Sequence, residues 1–78
     1  MPTIIRQEGF DITIFTNDHE PPHVHVFKAG AELIVNLNPV GIRDNYRMSK
    51  REARKAIRIV SSHRELLLRA WGEIHGDP

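Results

Sequence analysis

The adjacent prolines Pro21-Pro22 narrow what this 78-residue chain can fold into more than any other feature. Neither offers a backbone donor, and each drives the residue before it towards an extended shape, so no helix can cross residues 20–22. What lies on either side reads as strand. Upstream, Thr3 to Arg6 is rich in β-branched residues, Glu8-Gly9 breaks it, and Phe10, Ile12 and Ile14 then alternate with Asp11 and Thr13. That period of two marks a half-buried strand. A tight turn at Glu8-Gly9 sets Arg6 opposite Asp11 and Ile5 opposite Ile12, opposite charges on one face and apolar groups on the other. Downstream, His23 to Lys28, a turn at Ala29-Gly30 and Ala31 to Leu37 give a second hairpin. Its register puts Val26 against Leu33 and Val24 against Val35 on a dry face. His25 against Ile34 and His23 against Asn36 then share the other face.

Beyond the hairpins, Asn38-Pro39-Val40-Gly41 is a loop signal, and residues 38–48 are assigned to a loop. Ser49-Lys50-Arg51-Glu52 has the form of a capping box and predicts a helix start. Ala53, Ile57, Val60, Leu67, Trp71 and Ile74 follow at three- and four-residue steps, with Arg64 alone interrupting the stripe. One straight helix from Ser49 to His75 would be roughly 40 Å long. A domain of this size is about 30 Å across. Ser61-Ser62, with a second capping box from Ser62 to Glu65, predicts a kink or two separate helices, ended by Gly76 and Pro78. The expectation is a single α+β domain over 1–78. It has a four-stranded, mainly antiparallel sheet in 1–37, a loop in 38–48 and a helical region in 49–75 packed on one face.

Composition bears on how such a small domain is stabilised and where it works. There is no cysteine, hence neither a disulfide nor a thiolate zinc site. Stability must come from packing helices on the sheet, with homodimerisation as a further source. No apolar run approaches the roughly 18 residues of a membrane span, and the start lacks the pattern of a secretory signal. The expectation is a cytoplasmic protein with no membrane partner. Charge is uneven although the net is only +1. Residues 1–40 hold Arg6 and Lys28 against Glu8, Asp11, Asp18, Glu20 and Glu32, a net of −3. Residues 41–60 hold Arg43, Arg47, Lys50, Arg51, Arg54, Lys55 and Arg58 against Asp44 and Glu52, a net of +5. The middle of the chain therefore suits an anionic partner.

Met1-Pro2-Thr3-Ile4, the run Asn17-Asp18-His19-Glu20-Pro21-Pro22-His23-Val24-His25-Val26, the Ser49-x-x-Glu52 helix start and Trp71 together form a pattern. Over essentially the whole chain it resembles the bacterial family labelled domain of unknown function 4160. The resemblance implies a small intracellular protein working with a cognate small protein in a toxin–antitoxin-type pair, and it brings no mechanism with it. The strongly basic helix start departs from that pattern.

Three readings of the histidines follow from the residues. His23 and His25 can act as proton acceptor and donor near neutral pH. With Arg47 or Arg51 to stabilise a charged transition state, that pair predicts metal-independent RNA cleavage, with no cofactor. Alternatively His19, His23 and His25 can hold zinc or another divalent ion, with Asp18 or Glu20 as an oxygen ligand or outer partner. In the third reading the rings only fasten the loop, bonded to backbone carbonyls or to Asp18. Arg47, Lys50, Arg51, Arg54 and Arg58 are the expected phosphate contacts for RNA, or the docking face for an acidic protein. Lys50 and Arg51 oppose the helix dipole by about 0.3–1 kcal/mol, a cost that an anionic partner would offset. Tyr46 is the one aromatic nearby, too few for a base-stacking platform.

Overall fold

The computed structural model describes residues 3–76. Met1 and Pro2 of the opening motif and the Pro78 stop lie outside the described residues. Five strands form one antiparallel sheet in chain order: β1 (Thr3–Gln7), β2 (Phe10–Thr13), β3 (His23–Lys28), β4 (Ala31–Leu37) and β5 (Val40–Tyr46). Two helices follow, α1 (Lys50–Ser62) and α2 (Arg64–His75). No helix among the described residues is long and apolar enough to cross a membrane.

Both hairpin registers agree with the sequence reading. Arg6 pairs with Asp11 and Ile5 with Ile12. Val24 pairs with Val35, Val26 with Leu33, His23 with Asn36 and His25 with Ile34. The two turns are made by Glu8-Gly9 and Ala29-Gly30, all four with positive φ, the backbone that a two-residue hairpin of matching twist requires.

The sheet has five strands, not four. Asn38-Pro39 is indeed a turn, but it is the tight corner of a third hairpin, and the chain runs straight on into β5. Two properties hid that strand. It lies at the sheet edge, where residues 42–46 stay exposed and need no apolar alternation. It also carries a bulge: Ile42 pairs with Val35 and Asp44 with Ile34, leaving Arg43 as the extra residue and breaking the period of two.

The core lies between one face of the sheet and the helices. Phe10, Ile12, Val24, Val26, Leu33, Val35 and Leu37 meet Ala53, Ala56, Ile59 and Val60 of α1 and Leu67 and Trp71 of α2. Ile57 and Ile74 of the expected stripe are only half-buried at its flanks. Ser49 caps α1, its Oγ accepting from Glu52 N at 3.1 Å. The return half of that box is absent because the Glu52 carboxylate pairs with Lys28 at 3.3 Å. The helical region divides at His63, as expected of a chain that must turn back over a small sheet. The second capping box does not form, since Ser62 Oγ donates to Arg58 O of its own helix instead. Arg64 breaks the stripe because it serves the sheet, donating to Leu37 O at 2.9 Å and to Asn38 Oδ1 at 2.8 Å.

Candidate metal centre

Alternation along β3 sends Val24 and Val26 into the core and His23 and His25 to the opposite face. The segment 14–22 folds back over that end of the face. Asp18 is fixed by a local turn, its N–H donating to Phe15 O and its Oδ2 accepting from Phe15 N. The Phe15 ring stands edge-on to His25, with centroids 4.6 Å apart. Trp71 reaches the same end from α2, its centroid 5.2 Å from that of His23, while its Nε1–H donates to Glu20 Oε2 at 3.1 Å. The two imidazoles lie 5.3 Å apart. Their side chains retain only 6% and 13% of their exposure, and that of Asp18 retains 14%.

Hydrogen bonds set the direction of each ring. Nδ1 of His23 lies 2.9 Å from Pro21 O. A carbonyl can only accept, so Nδ1 carries the proton and the lone pair of the neutral ring sits on Nε2. Nδ1 of His25 lies 2.7 Å from Glu32 Oε2, and the same logic leaves its Nε2 as the free donor atom. Both Nε2 atoms point at Asp18, at 3.5 Å for His23 and 3.2 Å for His25. Two lone pairs and a carboxylate thus converge on one spot, an arrangement that repels itself until a cation or protons enter it.

The spacing suits a metal ion. Tetrahedral bonds of about 2.0–2.1 Å put neighbouring ligand atoms roughly 3.3–3.4 Å apart. One ligand atom from each of Asp18, His23 and His25 lies within 4.8 Å of the others, and the two N···O edges straddle the tetrahedral value. The outer partners are also in place. Glu32 and the Pro21 carbonyl hold the distal nitrogens, as carboxylates and carbonyls do behind metal-bound histidines. Arg43 braces the second of these, donating to Pro21 O at 3.4 Å and to Asn36 Oδ1 at 2.9 Å.

The profile of the family described as "Domain of unknown function (DUF4160)" matches residues 9–72. The chain belongs to that family. Within the DUF4160 match fall Asp18, His23, His25, Glu32, Arg43 and Trp71, so the whole convergent cluster lies inside the family region. No curated protein and no solved structure matches the chain. The DUF4160 label names no activity, and the chemistry must be argued from the site.

Several expected site residues stand elsewhere. His19 is exposed and outside the cluster. Pro21 and Pro22 separate it from β3, and Asp18 takes the place expected of it. Glu20 is occupied by Trp71. Arg47, Lys50, Arg51, Arg54 and Arg58 are exposed around α1, on the helix-covered side of the sheet, whereas the imidazoles are on the other side. Neither Arg47 nor Arg51 can serve as the cation of a histidine pair across five strands. Of Asp18 and Glu20, the two carboxylates read as an oxygen ligand or outer partner, it is Asp18 that stands beside the imidazoles. Glu32 could have been found by extending the hairpin register one step, since it is the diagonal neighbour of His25 on the same face. Arg43 gave no signal, because its strand read as loop.

Proposed function

We propose that this protein is a non-catalytic interaction module built around one divalent metal ion of the zinc class, with Asp18, His23 and His25 as ligands and Glu32 as the outer partner of His25. The observation that carries the reading is the convergence of both Nε2 atoms on one carboxylate, with each opposite nitrogen already engaged. The ion neutralises Asp18, satisfies both lone pairs and locks segment 14–22 onto the sheet. Three protein ligands leave a further position to water. Rings this covered, with the α1 cations on the far side, support ligation over acid–base cleavage of RNA. The setting we propose for the module is a cytoplasmic partnership with a second small protein of toxin–antitoxin type.

Metal-free protein titrated with zinc is expected to take one ion per chain. Asp18→Asn and His25→Ala should each weaken that binding at least tenfold, whereas His19→Ala should leave it unchanged. Affinity should fall in acid, because protons compete for the ligand lone pairs. Equal zinc binding by wild type and His25→Ala, or none by either, removes the proposal. RNA incubated with wild type, His23→Ala and His25→Ala decides the catalytic alternative, which requires cleavage by the first alone.

A further inference from the structure

On the opposite side of the molecule, β5 and α1 leave a groove of about 460 Å³ between them. Its apolar wall is Ile42, Ala53 and Ile57, and its rim carries Lys50, Arg54 and Arg58. Ile42 points to the helix side, paired with fully buried Val35, yet is 49% exposed because α1 does not reach over the sheet edge. Beside it, β5 has no neighbouring strand on its outer side among the described residues, so alternate backbone N–H and C=O groups face outwards.

We propose that this groove takes an acidic, extended peptide segment from a partner protein, added as a sixth strand along β5. The side chains at its alternate, α1-facing positions are of two kinds, apolar ones on Ile42 and Ile57 and carboxylates on Lys50 and Arg54. Main-chain bonds to an open edge give affinity, and pockets for alternate side chains give selectivity. Charge selects the occupant. Among the described residues, neither Lys50 nor Arg54 has a carboxylate partner, while Glu52 is committed to Lys28 and Glu8 to Arg58. Asp44 pairs with Ile34 and faces the other side. A second copy fits poorly, since β5-to-β5 pairing would bring together two segments that each carry +5 over residues 41–60. Nucleic acid fits less well than peptide. The wall is aliphatic, and Tyr46 pairs with Glu32 on the far face, leaving no ring in the groove to stack a base. The bulge at Arg43 keeps the added strand to a few residues, which suits a peptide and resists open-ended sheet growth. This deepens the interaction-module part of the function proposed above and does not involve the metal.

The test is panning of a displayed library of twelve-residue peptides on the intact protein, with and without a chelator. Selected peptides should carry both Asp or Glu and Val or Ile at positions two apart, be poor in Pro, and be indifferent to the chelator. Lys50→Glu with Arg54→Glu, and separately Ile42→Thr, should weaken a selected peptide at least tenfold while the variants keep wild-type circular dichroism. Bound peptide should slow amide exchange across Val40–Tyr46. Peptides that bind these variants as well as wild type would place the partner surface elsewhere, overturning the groove and leaving the module intact. Failure to enrich any peptide would remove both. A twelve-nucleotide RNA that binds through Lys50 and Arg54 without dependence on Ile42 would reassign the surface to nucleic acid and overturn the peptide assignment.

Discussion

Trp71 ties α2 to β3 and to the proline segment. It is 2% exposed, packs on His23, bonds Glu20 across the proline segment and carries the stacked ring of His75 at 3.9 Å. Truncating a buried tryptophan costs about 3–5 kcal/mol. A chain of this length has roughly 4–12 kcal/mol in total at 0.05–0.15 kcal/mol per residue. Trp71→Ala should therefore lose a quarter or more of the stability, read as a lower urea midpoint at unchanged slope. Ala29 offers the opposite case. It holds φ of 49° in the β3–β4 turn, a conformation that disfavours a Cβ and that Asn tolerates better. Ala29→Asn should raise stability in the same measurement by a fraction of the roughly 1–2 kcal/mol that a left-handed residue with a Cβ costs.

Among the elements, α1 is tied to the strands by ion pairs at one flank and by apolar packing beneath. Glu8, in the β1–β2 turn, has its carboxyl held below the ordinary 4.5, first by the Gln7 side-chain hydrogen bond and then by the charges of Arg58 and Lys55. A carboxyl depressed in the folded state adds stability above its unfolded pKa and loses it as the pH falls through the folded one. The stability difference between wild type and Glu8→Gln should thus be present near neutral pH and shrink as the medium is acidified below about 4.5. Because Glu8 is exposed, salt should shrink it too. A difference that grows in acid would contradict the assignment. Edge strand β5 shows the same division of labour. Its inner edge is held by β4, while among the described residues its outer edge has no strand beside it and Ile42 is exposed.

For the whole molecule, the two candidate surfaces lie on opposite sides of one sheet, the histidine cluster under segment 14–22 and the cationic groove beside α1. A bound ion acts on the first by mass action. At a hundredfold excess over its Kd it adds about 2.7 kcal/mol, worth roughly 10–20 °C in melting midpoint for a domain this small. A chelator should reverse the shift, and Asp18→Asn should cut it by about half or more. The reading fails if wild type melts at the same temperature with zinc and with chelator. In a cysteine-free chain with a Cα radius of gyration of 11.5 Å, such an ion would take the part a disulfide plays in other small domains.

The alternation of Phe10, Ile12, Val24, Val26, Leu33 and Val35 fixed two hairpins, their registers and the shared face of His23 and His25, because neighbours in a strand obey a period that local chemistry alone imposes. Ser49 and the length of the apolar stripe likewise announced one kinked helix or two behind that sheet. What the residues could not announce was any pairing that depends on the far side of the chain. β5 is held by β4 and its bulge, so its own pattern carries little trace of it. The Glu32 and Asp18 contacts to His25 are nearer cases: each spans only seven residues, within reach of the hairpin register and of the run that holds the histidines. The separation of the α1 cations from the imidazoles follows from which face α1 covers. These are decided by packing the apolar face once, in three dimensions, and every polar group then takes the partners that packing leaves within reach.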